Sequence, residues 1–154
     1  MLQLNLPQYS FRIKKQNDKL VIFDSQRKRY VALTPEEWVR QNFIRFLIEE
    51  KGYPAAYLAI EKQLNMNGMK KRCDAILYNE HAQPFLIIEL KAPNVAISQA
   101  TFDQVAVYNA KLKVDFFIIS NGIEHFCCKV NLETARYEFF LEIPDFNQIV
   151  TKNT

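Results

Sequence analysis

At 154 residues, with 49% apolar and 24% charged side chains, the chain has the size and balance of one globular domain with a substantial core. Its net charge of only +3 excludes binding to nucleic acid by bulk charge, so any such affinity needs a local basic face. No apolar run is long enough to span a membrane, and Cys73, Cys127 and Cys128 show neither CxxC nor zinc spacing; the composition predicts a soluble protein of the reducing cytoplasm.

Residues 9–13 and 20–23 flank a polar stretch and predict a hairpin, with residues 30–33 as a short third strand. The basic cluster Arg27-Lys28-Arg29 reads as a solvated turn. Thr34-Pro35-Glu36-Glu37 is a helix start, with Thr34 as N-cap, Pro35 at the first helical position and Glu37 completing a capping box. Trp38, Val39, Phe43, Phe46 and Leu47 then recur as a helical stripe that Gly52 and Pro54 end. Residues 55–64 fit a short helix or a strand, and the polar stretch 65–72, with Gly68, reads as a loop.

Asp74 to Tyr78 and Phe85 to Leu90 are strands joined by a polar connection, most simply an antiparallel hairpin, and Pro93 stops the second. Residues 98–112 carry a helical period. A buried strand over 114–119 closes at Ser120-Asn121-Gly122, and residues 125–130 and 136–141 form a last hairpin. From Asp145 the tail is a short helix or frayed. A helix, a mixed central sheet and a second helix returning to a parallel strand predict an α/β fold.

The chemistry concentrates at the end of the strand Phe85-Leu-Ile-Ile-Glu-Leu-Lys91. Side chains alternate along a strand, so Glu89 and Lys91 share a face, and buried charges are costly unless paired or bound to a metal. Antiparallel pairing brings Asp74 to the same end. Gln104 and Tyr108, four apart, share one face of the following helix. Each has an ordinary reading by itself: a residue after a turn, a same-face salt bridge, a surface hydrogen bond, a core aromatic. Lys70-Lys71-Arg72, directly before Asp74, is the candidate for a phosphate backbone.

In this order, an acid, Glu-x-Lys and Gln-x-x-x-Tyr resemble the PD-(D/E)XK nuclease superfamily, in its branch with the Gln-x-x-x-Tyr motif. Pro35-Glu-Glu-Trp-Val-Arg40, Glu49-Glu-Lys-Gly-Tyr-Pro54, Arg72-x-Asp-Ala75, Ile87-Ile-Glu-Leu-Lys-Ala-Pro93 and Ser120-Asn-Gly122 resemble the N-terminal nuclease domain of type I restriction enzyme R subunits. The likeness runs from about residue 25 to residue 145 of a single domain spanning 1–154. A second Glu-x-Lys, Glu49-Glu50-Lys51, carries no such context.

The resemblance implies a restriction-endonuclease-like core, a central mixed β-sheet flanked by helices, with an N-terminal β-hairpin. It implies a metal-dependent DNA endonuclease that hydrolyses phosphodiester bonds. Hard oxygen donors suit Mg²⁺ or Mn²⁺, which acidifies a water and neutralises developing phosphate charge. Asp74, Glu89 and the backbone carbonyl of Leu90 are then the ligands, with Glu37 adding a carboxylate and Glu36 its rival. Lys91 positions the attacking water and stabilises the pentacovalent phosphate, steadied by Gln104 and Tyr108.

Two departures stand out. Cys73 precedes Asp74 where the superfamily name has Pro, and the three glycines leave no room for a GxxxxGK[ST] phosphate loop. The expectation is a nuclease without its ATPase motor, partnered by motor and specificity subunits, with a homodimer for double-strand cleavage. The alternative is a non-catalytic DNA-binding or assembly module on the same fold.

Overall fold

A computed structural model describes the backbone of residues 2–152 and the side chains of residues 2–150. In chain order the elements are β1 (Ile13–Gln16), β2 (Lys19–Asp24), β3 (Arg29–Ala32), α1 (Pro35–Glu49), β4 (Leu58–Met66), β5 (Met69–Tyr78) and β6 (Pro84–Leu90). There follow α2 (Gln99–Leu112), β7 (Phe116–Ser120), β8 (His125–Asn131), β9 (Arg136–Phe139) and α3 (Phe146–Lys152). The first three strands form an antiparallel sheet, and the other six a second sheet in the order β4-β5-β6-β7-β8-β9. Within it only β6 and β7 run parallel. That parallel step is what requires α2 as a crossover.

Helices cover both faces of this sheet, which explains why β6 and β7 read as unbroken apolar runs rather than alternating ones. Val39, Phe43 and Leu47 of α1 and Ile149 of α3 pack with Ala75, Leu77, Leu86, Ile88, Phe116 and Ile118. On the opposite face Val105 and Tyr108 of α2 pack with Cys73, Ile76, Ile87, Phe117 and Ile119. Cys127 joins the first cluster and Cys128 the second, as adjacent strand residues must, and all three cysteines are free and buried. Among the described residues no helix is long and apolar enough to cross a membrane.

The residues before β1 are tied to the turn after β7. Asn5 N–H donates to the Gly122 carbonyl at 2.8 Å, and His125 Nε2 lies 2.8 Å from the Asn5 carbonyl. A carbonyl only accepts, so Nε2 carries the proton and Nδ1 accepts from the Ser120 hydroxyl, 2.7 Å away. Gly122 sits at φ +85, a left-handed backbone that favours glycine, and a Cβ there would lie 2.8 Å from Leu4 Cδ2.

Three local expectations are corrected. Residues 65–72 are not a loop: β4 and β5 meet across Asn67-Gly68, with φ of +52 and +79. Asn-Gly is the strongest short hairpin signal because both residues tolerate the left-handed conformation that such a turn demands. The same conformation at Asn17 and Asp18 makes the first hairpin turn, so residues 14–16 belong to β1 rather than to a long polar loop. Thr34 Oγ1 does accept from Glu37 N–H at 3.0 Å, but the Glu37 carboxylate is bound by arginines and does not close the capping box.

Candidate active site

The β5–β6 ladder pairs Ala75 with Ile88 and continues toward Tyr78 and Pro84. One step beyond Ala75 and Ile88 lie Asp74 and Glu89, where the strands part. Leu90 N–H loses its ladder partner there and donates instead to Asp74 Oδ2 at 2.8 Å. Asp74 therefore sits in the middle of β5, not at its start as expected.

A slip in the pleat decides which way Asp74 faces. Cys73 packs on the α2 side, yet Ala75, two residues on, packs on the α1 side. Opposite Asp74 in β4 stands Glu61, a non-glycine residue at φ +53 that interrupts the ladder between the Ile60–Ala75 and Lys62–Cys73 pairs. Such a backbone costs on the order of 1–3 kcal/mol and persists only where its surroundings hold it. The result is that Asp74 and Glu61 both turn toward α1, where Arg40 Nη2 lies 2.7 Å from Asp74 Oδ1.

Asp74 and Glu89 are 8% and 4% exposed, and their carboxyls lie within hydrogen-bonding reach of each other. Burial, then that contact and the Asp74 charge, push the Glu89 carboxyl up to about 10. Glu89 Oε2 is buried with no hydrogen-bond partner among the described residues. An orphaned buried acceptor of this kind calls for an explanation.

Lys91 is held by a relay of one polarity. Tyr108 hydroxyl donates to the Arg72 carbonyl at 3.0 Å, so its oxygen accepts from Gln104 Nε2 at 3.1 Å. That fixes the amide with Oε1 outward, where it accepts from Lys91 Nζ at 3.1 Å. Gln104 and Tyr108 are one helical turn apart, which is what stacks them. Burial and then the Glu89 charge raise the Tyr108 hydroxyl above its ordinary value, so it stays a donor.

Glu37 is buried and bound to Arg27, Arg40 and Gln41, the last at 2.9 Å. Its neighbour Glu36 is the carboxylate that senses the site: burial and the Asp74 charge raise it, while Arg40 and Lys91 oppose the rise. Arg27 is not the solvated turn residue expected. It bridges Asp24, Glu37 and Glu61, and Arg40 bridges Glu37, Glu61 and Asp74, so the N-terminal sheet, α1 and β4–β5 share one ion cluster. Arg40, Arg27, Asp24 and Glu61 escaped the sequence reading. For Arg40 a signal was present, its position three and four residues after Glu37 and Glu36 on one helix face. Lys70 and Arg72 are exposed, and Lys71 is half-buried on the other side of the strand.

The comparisons agree with this architecture. No curated protein matches the chain. Among solved structures, a fragment of a chain assigned as the HsdR subunit of a type I restriction enzyme from Vibrio vulnificus YJ016 is similar with a TM-score of 0.56 at 17% identity. The similarity covers 79% of this chain and 26% of that one, and at this identity it shows the fold, an α/β restriction-endonuclease-like core. The family model described as type I restriction enzyme R protein N terminus matches residues 35–144, which is 110 of the 154 residues and includes every residue from Glu36 to Tyr108 named above. The chain therefore belongs to the family of type I restriction enzyme R protein N termini.

Proposed function

We propose that the chain is a metal-dependent DNA nuclease module that hydrolyses phosphodiester bonds. The observation that carries this reading is the pair Asp74 and Glu89, two buried carboxyls in reach of each other with one oxygen unpartnered. With Glu89 ionised, six carboxylates (Asp24, Glu36, Glu37, Glu61, Asp74, Glu89) would face four cations (Arg27, Arg40, Arg72, Lys91), short by two charges. One divalent cation cancels that deficit, and an all-oxygen donor set fits Mg²⁺ or Mn²⁺. Asp74, Glu89 and the Leu90 carbonyl would hold it, with Glu36 as the added carboxylate in place of Glu37, whose oxygens are committed to arginines.

When bound, the ion supplies an acidified water and offsets charge developing on the phosphate. Lys91, which donates one hydrogen bond to Gln104 Oε1, keeps donors free to position the attacking water and to stabilise negative phosphate oxygens. Gln104 and Tyr108 fix the direction of that ammonium. The module would cut in company with motor and specificity subunits of a restriction system, and two copies would be needed to cut both strands. Its buried free cysteines suit a reducing cytoplasm.

One observation favours a second reading, a non-catalytic DNA-binding or assembly module: Arg40 already occupies Asp74 Oδ1. The deciding experiment incubates the chain with plasmid and single-stranded DNA in Mg²⁺ or Mn²⁺ beside Asp74→Ala and Lys91→Ala. Metal-dependent cutting lost in both variants supports the nuclease. Cutting that persists in both removes the site assignment, and no cutting with any metal favours the second reading.

A further inference from the structure

β4 and β5 pair from Leu58–Leu77 to Met66–Met69, with the one gap at Glu61 and Asp74, whereas β6 joins β5 only from Ala75 onward. Residues 62–66 and 69–73 therefore form a two-stranded ribbon that extends past the rest of the sheet to the Asn67-Gly68 turn. Partners across an antiparallel ladder share a face. One face, with Leu64, Met66 and Cys73, packs into the α2-side core. The other carries Gln63 opposite Arg72 and Asn65 opposite Lys70, all four exposed.

The ribbon is braced from behind. Lys111 Nζ donates to the Asn65 carbonyl, and Tyr108 hydroxyl donates to that of Arg72 at 3.0 Å. Backbone atoms make both contacts, so the outward side chains remain available, apart from a 3.4 Å ion pair between Arg72 and Glu61.

Charge singles this element out. Residues 62–72 hold Lys62, Lys70, Lys71 and Arg72 and no acid, a local charge of +4 in a chain of +3, so the remainder sums to −1. Because the pleat slips only after Asp74, Lys70, Arg72 and Asp74 lie in one row on the same face. Their spacing is about 6.7 Å per step along a strand, close to one nucleotide of an extended backbone.

We propose that this ribbon is a nucleic-acid grip: Arg72 and Lys70 hold consecutive phosphates of the strand whose scissile bond lies at Asp74, and Gln63 and Asn65 face the adjoining nucleotides. The inference deepens the nuclease reading and rests on it for the identity of the polymer. It corrects the expectation that Lys70, Lys71 and Arg72 act together, since Lys71 stands on the core side of the strand. Amide side chains beside the phosphate row give the grip groups that can hydrogen-bond base edges.

The test is binding without catalysis: fluorescence anisotropy of a short labelled DNA, single-stranded and duplex, in EDTA across a KCl series. Each lost phosphate contact lowers the salt slope by about 0.7 for single strands and about 0.9 for duplex. Lys70→Ala/Arg72→Ala should therefore lower it by about 1.4–1.8, while Lys15→Ala/Lys19→Ala on the β1–β2 hairpin, outside the ribbon, leaves it unchanged. Gln63→Ala/Asn65→Ala should weaken binding without altering the slope. An unchanged slope in the ribbon variant, an equal loss in the control, or no DNA binding by the wild type overturns the proposal. Circular dichroism confirms folding, since all the substituted side chains are exposed. A wild type that grips DNA through the ribbon but never cuts with Mg²⁺ or Mn²⁺ sinks the nuclease reading and leaves this one standing. Cutting by Lys70→Ala/Arg72→Ala at wild-type KM does the reverse.

Discussion

Replacing Glu89 with Gln keeps the shape of the side chain and removes only its ability to ionise. In the metal-free protein the cost should be small, because the Glu89 carboxyl, pushed up to about 10, already holds its proton at neutral pH. The Gln amide can donate to Asp74 as the protonated acid does, so below pH 4.5, where the unfolded carboxyl is protonated too, the expected change is within about 1 kcal/mol. The metal response is where the variants separate. A ligand at a hundredfold excess over its Kd stabilises by about 2.7 kcal/mol, which for a chain of this size corresponds to a rise in Tm of about 5–10 °C. Differential scanning fluorimetry in EDTA and in a Mn²⁺ series should show that rise for wild type and little or none for Glu89→Gln.

The pH dependence adds a second readout of the same substitution. Glu89 is raised above its unfolded value of 4.5, so its stabilising contribution is complete below 4.5 and is lost as pH rises toward about 10. Gln lacks that loss. In EDTA the Tm of Glu89→Gln should therefore gain on wild type between pH 5 and 9, by roughly the window the linkage sets. A variant that loses several degrees in EDTA yet still gains the full Mn²⁺ increment would refute the reasoning, since it would make Glu89 a structural anchor and not a ligand.

Three further outcomes follow from the same geometry. Asp74→Asn should cost about 3 kcal/mol in urea unfolding, the low end for breaking a buried ion pair, because Glu37 still neutralises Arg40; an unchanged midpoint would show that the pair contributes nothing. Gly122→Ala should cost about 2 kcal/mol, from the positive φ and the 2.8 Å approach to Leu4 Cδ2, and hydrogen exchange at the Asn5 amide should quicken. His125 is held neutral mainly by burial and its folded value lies below 6.5, so stability should fall as pH drops below 6.5 and level off beneath the folded value. His125→Asn should flatten that limb of the profile, and an unaltered limb would remove His125 as its cause.

The element types came through from local chemistry. Thr34-Pro35 starts α1, the apolar stripe of residues 38–47 commits it to the core, and the runs expected at Phe85 to Leu90 and Val114 to Ile119 hold β6 (Pro84–Leu90) and β7 (Phe116–Ser120), which two helices bury. The parallel step between β6 and β7 followed from a helix lying between them, and the Lys91, Gln104 and Tyr108 arrangement followed from spacings of two and four. These features depend on neighbours a few residues apart, and periodicity reports such neighbours directly.

What the sequence could not show is whatever depends on partners distant along the chain. The slip in the pleat at Glu61 and Asp74 leaves the register unchanged, is a two-strand property invisible in either strand alone, and turns Asp74 toward α1. Arg27 looked like a turn residue because nothing local says that Glu37 and Glu61 will close over it. Glu37 looked like a cap and a ligand, yet two arginines claim it, and Glu36 is the carboxylate left facing the site. Local sequence thus determined which residues lie on which elements. Long-range pairing and charge compensation in a low-dielectric interior decided that arginines claim Glu37 and that Asp74, itself paired with Arg40, lies against Glu89.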